Sequence, residues 1–109
     1  MKIYISIPIS GKNEAYQRKY AKFIKYLIIS KGNEAINPFE IYDELCEIHR
    51  YIRRPRPTYD EIMREDLAAL VDCQAIVFCE GWENSSGCIL EAKMGTQVFN
   101  LKVIFEREL

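Results

Sequence analysis

Short apolar runs that alternate with longer segments of helical spacing constrain this chain more than any other feature. The runs are KIYISI at 2–7, EAI at 34–36, AIVFC at 75–79 and LKVIF at 101–105. AIVFC is apolar throughout, which is typical of a strand covered on both faces of a parallel sheet. Strands that alternate with helices predict an α/β fold. A chain of 109 residues has room for one such domain.

Caps and helix breakers predict four helices between the apolar runs. Asn13 is placed to cap the first helix. Pro55 ends the second, because proline cannot continue a helix. Thr58 and Glu61 form the capping-box pattern that opens the third. The predicted helices cover about 14–30, 39–53, 58–72 and 86–97.

The element order β-α-β-α-α-β-α-β predicts a three-layer, doubly wound parallel sheet of the flavodoxin or Rossmann type. We expect about four strands in the spatial order 2-1-3-4. Ligands of such sheets bind outside the carboxyl ends of the strands, where the strand order reverses. The loops predicted at that edge are 7–13, 37–40 and 80–87. Ser6 and Gly11, at the end of the first strand and in its loop, are therefore predicted to bind substrate.

Composition and charge exclude several classes of protein. Fifteen basic and sixteen acidic residues give a net charge of −1, so a nucleic acid polymer is not an expected partner. No apolar run approaches the roughly 20 residues of a membrane span, and no secretory signal is visible, so we predict a cytoplasmic protein without membrane contact. The four cysteines form no C-x-x-C pair and His49 is the only histidine. Neither a metal site nor a cofactor is expected.

The charge is distributed unevenly along the chain. Residues 1–57 carry +5 and residues 58–109 carry −6. The two halves are either a basic and an acidic wall of one cleft or two solvated faces of a globule. Segment 50–56 contains Arg50, Arg53, Arg54 and Arg56. It is either a lid that contributes arginines to a phosphate or a solvated basic loop.

The stretch from Glu80 to Glu91 is the strongest local signal for a binding site. It reads as a strand end, a polar loop with glycine and a helix start. Ser85, Ser86 and the backbone amide near Gly87 would face the positive end of the helix dipole, which suits a phosphate. Glu91 lies about one and a half turns into that helix and is placed to point back to the cleft. A serine N-cap with a surface glutamate is the alternative.

Three further residues have both a functional and a structural interpretation. Asp66 borders the apolar face of its helix, so it is either a partly buried carboxyl with a perturbed pKa or a solvated acid like Glu65. Tyr4 needs a hydrogen-bond partner in a buried strand, either as a ligand-orienting residue or as a core tyrosine. Trp82 either packs over its own cleft or stacks on a base.

Taken together, these residues resemble the nucleoside 2-deoxyribosyltransferase superfamily. The resemblance covers most of the chain and is specific at KIYIS, EDLAALVDCQAIVF and SSGCILEAKMG. It implies that residues 1–109 form a single domain of this type. It also implies that Tyr4 lies near the active site, that Asp66 handles the nucleobase or sugar, and that Glu91 attacks the anomeric carbon.

One position distinguishes branches within that superfamily. Transferases acting on free nucleosides commonly have an aspartate six residues before the nucleophile, whereas the nucleoside 5′-monophosphate N-glycosidase branch has a serine, here Ser85. A serine hydroxyl donates to a phosphate and a carboxylate repels it, so the resemblance implies a nucleotide. It points to a small bacterial and phage branch with an MKIYISGP-like opening. Ile7 stands where that branch usually has glycine, and its glutamate-x-glycine step reads Glu91-Ala-Lys-Met-Gly95 here.

Three classes of function follow from these expectations. The first is an enzyme that cleaves the N-glycosidic bond of a nucleoside or nucleoside 5′-monophosphate, by hydrolysis or base transfer. Glu91 would be the nucleophile, Asp66 would assist the leaving base and Tyr4 would orient Glu91. The second is a non-catalytic nucleotide-binding module with the same cleft, and the third is a structural or interaction protein. The resemblance also implies a homodimer or larger assembly, with contacts that suit Trp82 and Tyr51.

Overall fold

The structure, a computed structural model that describes residues 1–109, has four strands and four α-helices in the predicted order. The strands are β1 Lys2–Ser6, β2 Glu34–Ile36, β3 Ala75–Phe78 and β4 Lys102–Phe105; the helices are α1 Glu14–Ser30, α2 Pro38–Tyr51, α3 Tyr59–Val71 and α4 Ser86–Lys93. All strand pairs are parallel, and the spatial order is β2-β1-β3-β4. The predicted α/β fold, flavodoxin- or Rossmann-like with strand order 2-1-3-4, is confirmed.

Helices α1 and α3 begin at their predicted caps. The Asn13 side chain accepts a hydrogen bond from Tyr16 N at the start of α1. Thr58 and Glu61 form the reciprocal capping box of α3. These side chains satisfy backbone N–H groups that have no partner inside their own helix. The local signals therefore determine where α1 and α3 enter the fold.

The strands project alternate residues to opposite faces of the sheet, and each face carries its own apolar cluster. One cluster joins β1 and β3 to the buried side of α1, and includes Ile3, Ile5, Ile24, Ile28 and Val77. The other joins Tyr4, Ile76 and Phe78 to Leu70 of α3, with partly buried residues of α2 and α4 around them. The side chains of α3 and α4 therefore meet the even-numbered residues of β1.

The last helix ends earlier than predicted. It is α-helical only to Lys93, and Met94–Val98 form a wider turn of π-helix, closed by a bond from Phe99 N to Met94 O. Gly95 lies buried in this turn, and a Cβ there would be 3.6 Å from Leu101 Cδ1. The turn brings the chain directly into β4, because Leu101 N donates to Gly95 O. No helix has both the length and the apolarity that crossing a bilayer requires.

Candidate active site

The carboxylate of Glu91 is buried at the carboxyl end of β1. The Tyr4 hydroxyl donates to Glu91 Oε2 at 2.6 Å, and the Ser6 hydroxyl donates to Oε1 at 2.8 Å. Tyr4 and Ser6 are two residues apart on one strand, so both project to the face that carries α4. Only 6% of Glu91 is exposed. Two donors therefore hold both carboxylate oxygens in one orientation.

The surroundings of Glu91 place its titration near neutral pH. Burial raises its pKa to about 7, although the hydrogen bonds from Tyr4 and Ser6 act in the opposite direction. Burial and the negative charge of Glu91 raise the pKa of Tyr4 well above its ordinary value. The tyrosine therefore remains a phenol and a hydrogen-bond donor throughout the neutral range.

Asp66 is a second buried carboxyl, contributed by α3. It is 6% exposed, and its Oδ1 has no hydrogen-bond partner. Burial raises its pKa to about 7, with smaller contributions from the negative charges of Glu91 and Glu65. An unpartnered buried carboxyl oxygen is costly and uncommon in folded proteins. A carboxyl with this environment is therefore a candidate for proton transfer.

Both carboxyls line one cleft of about 190 Å³ at the predicted edge of the sheet. Ser85, Gly87 and Cys88, at the start of α4, line it as well. The Ser85 hydroxyl accepts a bond from Cys88 N at 3.3 Å as the N-cap, and a hydroxyl that accepts one hydrogen bond can also donate one. Polar residues of the other walls are Ser10, Glu14 and Arg18. The rest of those walls is largely apolar and comes from the β1 loop, α2 and α3: Ile7, Ile9, Pro38, Phe39, Tyr42, Tyr59, Ile62 and Met63. A mostly apolar cleft with a few converging polar groups is typical of a small-molecule site.

The sequence profile of a family described as "Domain of unknown function (DUF4406)" matches residues 1–105. The chain belongs to the DUF4406 family. No curated protein and no solved structure matches it. The region shared with the DUF4406 profile includes Tyr4, Asp66, Ser85 and Glu91. The cleft that Asp66 and Glu91 line, which we call the carboxylate cleft, therefore lies entirely within it. The resemblance to the nucleoside 2-deoxyribosyltransferase superfamily stays a prediction.

Four of the residues predicted from sequence to bind substrate lie elsewhere than in the lining of the cleft. Ser6 is buried beneath it and contacts Glu91. Gly11 and Ser86 are exposed, and neither lines the cleft of this DUF4406 protein. Trp82 stacks on Phe78, with ring centroids 4.6 Å apart, and belongs to the cluster that covers the sheet. Its indole is already packed against protein in this structure.

The structure adds α2 residues that the sequence reasoning missed. Phe39 and Tyr42 line the cleft. Phe39 lies within loop 37–40, which is predicted to reach this edge, but neither residue is predicted to belong to the site. Pro38 and Phe39 come just after β2, and this position beyond the end of a strand was the signal that could have identified them. Arg18 also lines the cleft, with its guanidinium 4.9 Å from the centre of the Phe39 ring.

Replacing Tyr4 with phenylalanine is expected to raise the pKa of Glu91 further, by about one unit or more. The variant removes a hydrogen bond to the charged carboxylate, which is worth about 1.5–3 kcal/mol, and keeps the buried ring. Titration of the Glu91 carboxyl by NMR measures the shift. Tyr20→Phe is the matched control, because its hydroxyl accepts from Glu80 N outside the cleft. An unchanged Glu91 titration in Tyr4→Phe would contradict this role.

Proposed function

We propose that this protein cleaves the N-glycosidic bond of a nucleoside 5′-monophosphate or a nucleoside, with Glu91 as the nucleophile. The observation that carries the proposal is a buried carboxylate with both oxygens held by Tyr4 and Ser6, in a cleft that a second buried carboxyl also lines. Cleavage of a glycosidic bond develops positive charge at the anomeric carbon. A fixed carboxylate beneath that carbon stabilises the charge or bonds to it.

The two carboxyls have complementary roles in the proposed reaction. A Glu91 oxygen bonds to the anomeric carbon as the bond to the base nitrogen breaks. Protonated Asp66, which lines the same cleft, gives its proton to the leaving base. Ionised Asp66 then takes a proton from water as the water oxygen attacks the anomeric carbon and releases Glu91. A second base in place of water gives transfer.

The start of α4 supports a nucleotide as the substrate. Ser85 and Gly87 line the same cleft as Glu91, at the positive end of the helix dipole. A phosphate there would accept a hydrogen bond from the Ser85 hydroxyl. A free nucleoside would leave this end of the cleft to water.

The first experiment is incubation of the protein with a panel of nucleosides and nucleoside 5′-monophosphates, followed by chromatography for free base. Release of base from at least one monophosphate supports the proposal. A folded protein that releases base from none of them contradicts catalysis. The panel also determines which base and which sugar are accepted.

Ser85→Asp is expected to lower kcat/KM for a monophosphate about tenfold or more, with little change for the corresponding nucleoside. Aspartate is a good N-cap, so α4 still begins at the same place. Its negative charge lies in the cleft and repels the phosphate, and such like-charge contacts cost several kcal/mol. Ser86→Asp is the control, because it adds the same charge at an exposed residue outside the cleft lining. Equal losses for monophosphate and nucleoside would show that Ser85 does not face the phosphate.

A non-catalytic nucleotide-binding module is the second candidate. Ile7 favours it, because this buried side chain lines the cleft where the resembling branch usually has glycine. Calorimetry distinguishes the two candidates, since a binder gives saturable heat with a nucleotide that is recovered unchanged. The cytoplasmic location and the homo-oligomeric state stay predictions.

A further inference from the structure

The arginine-rich segment 50–56 is folded back against α2 and held there. Arg54 N donates to His49 O at 2.8 Å, and His49 Nδ1 lies 2.9 Å from Pro55 O. The His49 ring is buried. Arg53 adopts a left-handed backbone conformation with φ of 59°, which is uncommon for residues other than glycine. The segment therefore has a defined position rather than that of a freely solvated loop.

This segment forms one wall of a second cavity, of about 470 Å³, which we call the arginine lobe. Its arginines are Arg50, Arg54 and Arg56. Glu14 and Tyr42 line both the lobe and the carboxylate cleft. The two cavities therefore adjoin, with Glu14 and Tyr42 between them.

The acidic side chains of the lobe are already engaged by another residue. Arg18 makes two hydrogen bonds to the Asp43 carboxylate, at 2.8 and 2.9 Å, and one to Glu14 at 3.1 Å. Arg18 thus engages both acids, and neither has a lobe arginine as a salt-bridge partner.

The lobe arginines, by contrast, have weak partners or none. Arg56 has no carboxylate within 4.0 Å. Arg54 lies 3.5 Å from Glu61, and Arg50 pairs with Glu47 in an exposed contact of little strength. Arg56 is therefore the lobe arginine whose guanidinium has no carboxylate partner, and it lies in a cavity that shares lining residues with the cleft. Guanidinium groups pair with phosphate oxygens through two parallel hydrogen bonds.

We propose that the arginine lobe binds an outer phosphoryl group of the substrate, so that the preferred ligand is a nucleotide with two or more phosphoryl groups. The inference rests on the proposed function, in that it places the nucleoside part in the carboxylate cleft. The lobe extends recognition from the sugar to the end of the phosphate chain. Inorganic pyrophosphate shares this chemistry, and the experiment separates it from a nucleotide.

The test compares the affinities of nucleoside monophosphates and diphosphates in matched pairs, such as AMP and ADP, by calorimetry. We expect each accepted diphosphate to bind about tenfold more tightly, the value of one additional charge-assisted contact. Arg56→Ala and Arg54→Ala each reduce that gain, and Arg56→Ala leaves monophosphate affinity within about twofold. Arg64→Ala is the control, because it removes an exposed arginine that lines neither cavity. Pyrophosphate alone is expected to bind more weakly than the diphosphate.

Three results would overturn the proposal: equal affinity within every pair, a gain that survives both lobe variants, or no binding of any nucleotide. Chromatography of the same samples keeps this proposal separate from the proposed function. Base release from monophosphates without a diphosphate gain rejects the lobe and retains the enzyme. A diphosphate gain that depends on Arg56, without release of base from any nucleotide, rejects the enzyme and retains the lobe.

Discussion

Glu91→Gln is expected to lower base release from nucleoside monophosphates by about a thousandfold or more. The amide has the shape of the carboxylate but neither its charge nor its nucleophilic oxygen, so the step at the anomeric carbon is lost. The hydroxyls of Tyr4 and Ser6 can still pair with the amide, because a hydroxyl both donates and accepts. We therefore expect nucleotide binding and the fold to persist.

The measurement is chromatography of free base over time, with the melting temperature of each variant as a test of folding. Glu83→Gln is the matched control, because it makes the same change at an exposed residue just before α4, outside the cleft. Base release by Glu91→Gln at the wild-type rate would show that Glu91 is not the nucleophile. Loss in both variants would point to a general effect of charge.

The free energy of unfolding is expected to fall as the pH rises from about 4 to about 7. Asp66 and Glu91 have raised pKa values of about 7 in the folded protein, against ordinary values of 3.8 and 4.5. Between these limits the folded protein binds protons that the unfolded chain has released, so deprotonation favours unfolding. Above about pH 7 both states are ionised and the loss no longer grows.

Asp66→Asn removes the share of this loss that comes from Asp66. We expect the variant to be more stable than wild type by about 2 kcal/mol at pH 8, with the gain disappearing near pH 4. Base release should fall at the same time, because asparagine cannot transfer the proton. Sites of this kind commonly trade stability for activity.

Urea unfolding at pH 4 and pH 8 measures the effect. Glu65→Gln is the control, because Glu65 is an exposed acid next to Asp66 on the same helix. A destabilised Asp66→Asn variant at pH 8, or a gain of equal size at pH 4, would contradict the burial of an ionisable carboxyl at this position.

The predicted elements agree with the structure where local signals operate. β2 lies at its predicted bounds, and α1 begins at its predicted cap. The end of α4 was predicted wrongly, at about residue 97 instead of Lys93. The pattern of polar and apolar residues does not distinguish an α-helical turn from a π-helical one. In that turn a Cβ on Gly95 would contact Leu101, just before β4, and Ile76 on β3, and neither contact can be read from the local pattern.

The residues of the candidate site are predicted less completely than the helices and strands. Alternation along β1 places Tyr4 and Ser6 on one face, but it does not identify their partner. The spacing of residues 80–91 does not decide whether Glu91 faces the cleft or the solvent. In the structure Glu91 is buried. Trp82 has an aromatic side chain that could stack on a base, yet in the structure it stacks on Phe78. Side chains in loops are hard to assign because small changes in backbone direction decide which surface they cover.

By itself, the sequence determined the elements, their order and the sheet they form, because alternation, caps and prolines act over a few residues. Tertiary structure alone decided which side chains meet. Glu91 accepts hydrogen bonds from Tyr4 and Ser6, which lie 87 and 85 positions away in the chain. Its side chain is buried only when α4 packs on β1. The unpartnered oxygen of Asp66 and the position of the arginine lobe beside the cleft likewise depend on packing between helices distant in the chain.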